Sequence, residues 1–137
     1  VSDLDGRVLT QKEADMNKKY KCKHIYDELF LKNFYVYYGV KPAIFIDEVK
    51  RIIGNVNQEE LDLKLLDGKM IVYSKQGMPI IFIWTRYKNI PTLVHECMHA
   101  THYALDAKGF ELCDETDELY AYYVQYLVGK ILNKKEC

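Results

Sequence analysis

The sequence predicts an α+β domain, a small antiparallel sheet packed against helices, and three observations predict it. Short runs rich in β-branched and aromatic residues, at 34–38, 70–74 and 79–84, are bounded by turn residues. Apolar residues recur at helical spacing through 43–53 and again through the last third of the chain. The order helix, strand, helix, three-stranded meander, two helices keeps strands and helices apart, as α+β architectures do.

Element by element, residues 10–32 read as a charged helix, from Gln11 through Met16, Tyr20 and Ile25 to Phe30, with its lysines on a solvated face. Residues 34–38 form a strand, broken by Gly39 and Pro42. Residues 43–53 form a helix with Phe45, Ile46, Val49, Ile52 and Ile53 inward, stopped by Gly54-Asn55. Leu61, Leu63 and Leu65 alternate with charges as the first meander strand, and Asp67-Gly68 turns into the second at 70–74. Gln76-Gly77 makes the next turn, into 79–84. Pro91 suits a first helical position, nothing breaks a helix from Thr92 to about Lys108, and Gly109 supplies a left-handed end. Asp114, with Asp117 three residues on, caps a last helix whose apolar run is Leu119, Tyr123, Tyr126, Leu127 and Ile131.

Composition bounds the function. At 137 residues the chain, 1–137, is a single domain with room for a core. Net charge is −1 with both signs interleaved, which gives no electrostatic case for nucleic acid. No apolar run is long enough to span a membrane and there is no signal-like segment. Cys22, Cys97, Cys113 and Cys137 are widely spaced without a CxxC, as reduced thiols of a cytoplasm would be. Cys22-Lys-His24 is a weak metal motif. A chain opening at Val1 leaves room for a preceding segment.

Residues 95–99, His-Glu-Cys-Met-His, form an HExxH motif. Positions four apart on a helix share a face, so His95 and His99 can aim both imidazoles at one point. Two neutral imidazoles make two legs of a tetrahedral zinc site, and Glu96 stands where it can take a proton from metal-bound water. Val94, Met98, Thr101 and Leu105 make one apolar stripe, while His95, His99, His102 and Asp106 make a polar one. His95 and His102 lie about 10 Å apart along the axis, too far for one ion to take both. His102 is better read as a cleft residue, a hydrogen-bond partner that orients a ligand, or a solvated side chain.

Zinc needs a further protein ligand and an open position. The acidic cluster at 114–118 suits the positive end of a helix dipole, and a carboxylate there can also face the imidazoles. Glu118 is the choice, because Ala121, Tyr122 and Gln125 share its face and the small alanine permits close approach. Glu115 is the main rival, with Asp114 and Asp117 behind it. Cys97 points about 100° or more away from both motif histidines.

The stretch Thr92-Leu-Val-His-Glu-Cys-Met-His-Ala-Thr, a spacer with Gly109, then Glu118-Leu-Tyr-Ala-Tyr-Tyr resembles the small HExxH metallopeptidases of bacteriophages and other mobile elements, compact relatives of the gluzincins. The resemblance spans about residues 70–132. It implies a zincin-like catalytic helix followed by a glutamate-bearing helix, one zinc ion on His95, His99 and Glu118, Glu96 as catalytic base, and a peptide or protein substrate in the cytoplasm of a bacterial host. His102 and Tyr122 are candidates for orienting a ligand or holding the oxyanion, with Tyr103 and Tyr120 also in reach. Gluzincins often carry an acidic residue four after the ligand glutamate; here that position is Tyr122. In zincins the strand before the active helix commonly borders the cleft, a place that Ile80–Trp84 would occupy here. The alternative is a zinc-containing protein that binds or regulates a partner without catalysis.

Overall fold

The computed structural model describes residues 22–133. The elements are β1 (Cys22–Asp27), β2 (Lys32–Tyr38), α1 (Pro42–Ile53), a single 3-10 turn (Gln58–Leu61), β3 (Gly68–Lys75), β4 (Met78–Thr85), α2 (Ile90–Asp106) and α3 (Asp117–Leu132). The class is α+β, as expected. The sheet, however, is mixed, with strand order β1-β2-β4-β3: β2 and β4 run parallel and the outer pairings are antiparallel.

Two cores follow from the period of two along each strand. Phe34 and Val36 of β2, with Ile81 and Ile83 of β4, face α2 and α3, where they meet Leu93, Cys97, Ala100, Ala104, Tyr123 and Leu127. Tyr35 and Tyr37, with Ile80, Phe82 and Trp84, face the other way onto Phe45, Val49 and Ile52 of α1. The result is three layers, with one helix below the sheet and two above. Trp84 is fully buried and its indole N–H donates to the Val40 carbonyl at 2.7 Å.

Three expectations about elements are corrected. The helix at 10–32 is not formed where the chain is described; its first part lies outside those residues, and 22–32 is β1, a turn and the start of β2. Ile25 and Asp27 are buried between exposed His24 and Tyr26, a strand alternation that in-register pairing with β2 makes decisive. Leu61, Leu63 and Leu65 form no strand. Leu61 and Leu63 plug the α1 core from an irregular segment while Leu65 is almost wholly exposed, and Arg86 holds that segment by donating to the Leu63 and Leu66 carbonyls. Asp67-Gly68 is not a hairpin turn, since β3 begins at Gly68.

The other elements stand close to their expected bounds. The β3–β4 turn is Gln76-Gly77, both left-handed, at φ 53° and 78°. Asn89 caps α2, its side chain accepting from the Thr92 amide, and Gly109 sits at φ 86° just past the end. The last helix starts later than expected, with Thr116 and not Asp114 at its N-cap. The Thr116 hydroxyl is turned back into the preceding loop, donating to the Glu111 carbonyl and accepting from the Cys113 amide.

Candidate metal centre

Helix α2 lies on the sheet through Leu93, Cys97, Ala100 and Ala104, all fully buried. Three of these four are small, which lets the helix backbone come close to β2 and β4. The stripe expected inward is therefore rotated: Thr101 and Leu105 are buried, Met98 is half-buried, and Val94 is 38% exposed. Cys97 points into the core, away from the histidines, as expected.

That rotation presents His95 and His99 to solvent and turns Glu96 inward, toward β3. The two Nε2 atoms are 3.2 Å apart, and the His95 Nε2 is 4.0 Å from the Glu96 carboxylate. A tetrahedral ion about 2.0–2.1 Å from each of two nitrogens would hold them about 3.4 Å apart. The spacing of the two nitrogens is thus close to that of two legs of a zinc site. Glu96 is 6% exposed, and burial raises its carboxyl above the usual range. His95, His99, Lys69 and the backbone N–H of Met70 oppose that rise by favouring the charged form.

The remaining candidates are placed as follows. Glu118 is exposed in the first turn of α3. Among the described residues, no three His, Cys, Asp or Glu side chains stand close enough together to hold one ion. The packing of α3 on α2 gives the reason. The Tyr120 ring meets His102 edge-on at 5.3 Å, so the opening turn of α3 lies level with His102. His99 is about 4.5 Å further back along α2, and a carboxylate from that turn must reach toward it. Glu115 lies in the loop before α3, where a hydrogen bond from the Cys113 thiol lowers its carboxyl; Asp114 and Asp117 are exposed beside it.

Of the oxyanion candidates, Tyr120 is committed elsewhere, its hydroxyl donating to the Phe110 carbonyl at 2.6 Å. The Tyr103 ring carries the Lys32 ammonium at 5.8 Å from its centroid. Tyr122 is exposed and lines a groove on the outer face of α3 with Gln125, Tyr126 and Gly129. His102 is exposed on the same polar line as the motif histidines.

Cys22 and His24 share one face of β1, opposite Tyr37 and Tyr35, but each is engaged with its own neighbours. The Cys22 thiol is pushed up to about 12 by burial beside Tyr37, the reverse of what a metal thiolate needs. His24 hydrogen-bonds Asn33 and rests against Tyr35.

Sequence reasoning missed the contribution of β3. Because β4 is paired on both sides, residues 79–84 offer no free edge, and the strand beside the motif is β3, the outer one among the described strands. Its Lys69 and Met70 act on Glu96 directly. No local pattern marks them, since they come to Glu96 only through the packing of α2 across the sheet. Compared with family models, curated proteins and solved structures, the chain matches none.

Proposed function

We propose that this protein is a zinc-dependent peptidase in which His95 and His99 hold the ion and Glu96 is the general base. The observation that carries the reading is the trio itself: two imidazole nitrogens at tetrahedral spacing and a buried carboxylate 4.0 Å from one of them. The likeness to compact HExxH peptidases supports it from the sequence side, and names Glu118 as third ligand.

Zinc bound there would polarise a carbonyl and acidify a water. Glu96 would be the residue that takes a proton from water and passes it to the leaving amine, so one carboxyl would serve as base and then as acid. Burial suits it to both roles. A carboxyl raised by desolvation is the stronger base, while Lys69 opposes the rise and favours the ionised form that must accept the proton. Among the described strands β3 is paired on one side only, which would give an extended substrate a strand to pair with beside the site.

Elemental analysis of tag-free protein and a cleavage assay on a mixed peptide library test the reading together. Wild-type protein should carry close to one equivalent of zinc, and Glu96→Gln should keep the metal while losing cleavage. Glu118→Ala should cut zinc affinity where Glu115→Ala does not. If Glu96→Gln retains full biological activity, the chain is a zinc-containing binding or regulatory protein instead.

A further inference from the structure

We propose that Gly68 is a positioning residue for the Glu96 base: the missing side chain at the start of β3 is the seat that the carboxylate occupies. The inference rests on the peptidase reading for its catalytic consequence, though not for its geometry. A Cβ built on Gly68 would stand 3.0 Å from the Glu96 Oε2, 3.1 Å from its Cγ and 2.8 Å from the Thr92 Cγ2. All three are side-chain atoms of α2, and two belong to the base itself.

Two facts separate this from an ordinary strand glycine. Gly68 is absent from the positive-φ residues of the chain, so its backbone conformation is open to any L-residue and space alone requires glycine. Glycine also weakens a strand, so its use within β3 calls for a close approach of some kind. The approach here is to Glu96, and two residues further along β3 the Met70 N–H favours the charged form of the same carboxylate. One strand thus makes the room and supplies a donor, and both fix Glu96 on the side of α2 next to His95. In a Gly68→Ala variant, the carboxylate must swing out of that slot or β3 must retreat from α2, and either moves the base relative to the imidazoles. His95 and His99 are exposed and neither is among the nearest atoms a Cβ at Gly68 would meet, so metal binding should be unchanged.

The test compares wild type, Gly68→Ala, Glu96→Asp and the double variant. Gly68→Ala should keep its zinc and its KM and lose kcat by about tenfold to a hundredfold, the scale of an ångström's misplacement. Glu96→Asp, whose shorter side chain withdraws from the new methyl, should cost less in the Gly68→Ala background than in wild type, a non-additivity that a merely structural glycine would not give. Crystals of metal-free Gly68→Ala should show the Glu96 carboxylate displaced from the Met70 amide. Should Gly68→Ala not fold, Gly68→Ala with Thr92→Ala removes the tightest contact and keeps the push on Glu96, to be measured against Thr92→Ala alone. A kcat within about twofold of the parent, with Glu96 unmoved, overturns the proposal. If wild type binds no zinc and cleaves nothing, the peptidase reading fails, and the crystallographic displacement of Glu96 still decides whether Gly68 seats it.

Discussion

Glu96 is a buried carboxyl on a helix whose neighbouring histidines are exposed, and that contrast has a thermodynamic consequence. Burial raises its pKa above the usual carboxylate range, so the folded chain holds the proton more tightly than the unfolded chain. The stability this lends is complete below the unfolded carboxyl pKa and is lost as pH rises through the folded one. In metal-free protein, Glu96→Gln, neutral throughout, should therefore melt higher than wild type at pH 7, and the gap should close below about pH 4. Melting midpoints across that range check it; a gap that ignores pH would mean the charge is not what burial penalises. At this scale the sequence was informative where geometry is local. His95 and His99 are one helical turn apart and meet by construction. Gly68 read as turn chemistry after Asp67, because its role is set by what packs on it from 28 residues further along the chain.

Among the elements, the β3–β4 hairpin owes its register to Gln76 and Gly77, both at positive φ. Gly77→Ala places a Cβ where left-handed backbone disfavours it and should cost about 1–2 kcal/mol in urea unfolding. Nothing lies within 4 Å of that Cβ, so the loss is conformational, and zinc binding should be unchanged. This turn, β2, α1 and α2 were all legible from residues alone, since punctuation and periodicity there agree. The first hairpin was not. Ile25 and Leu29 mimic helical spacing, while the burial that distinguishes a strand, Ile25 and Asp27 in with His24 and Tyr26 out, exists only once β2 lies alongside. Asp27 gives no hint of it in sequence, because a buried carboxylate is explained only by its partners, the Tyr123 hydroxyl at 2.6 Å and the Leu29 amide at 2.9 Å.

Taken whole, the molecule has two cores sharing the same two central strands, β2 and β4, each strand giving alternate residues to either side. The α1 layer and the histidine-bearing layer should accordingly unfold as one unit. Trp84, the only tryptophan, reports on the α1 side, and far-UV circular dichroism weighs the long helices α2 and α3. Their midpoints in denaturant should coincide; two separate midpoints would show that the layers uncouple. The parallel pairing of β2 with β4 was the least legible feature of the fold, because their partners lie more than forty residues apart in the chain and neither strand carries a local mark of its neighbour.

The same arrangement bears on how the chain comes off the ribosome. The middle of the sheet is made last: β4 slots between strands already synthesised, and until residue 85 has emerged β2 and β3 have no bridge between them. A nascent chain short of that point displays two incomplete edges and, on opposite faces, Phe34 and the pair Tyr35 and Ile71, surfaces that chaperones and proteases both recognise. Helix α2, following directly after β4, then finds its platform finished at the moment it arrives.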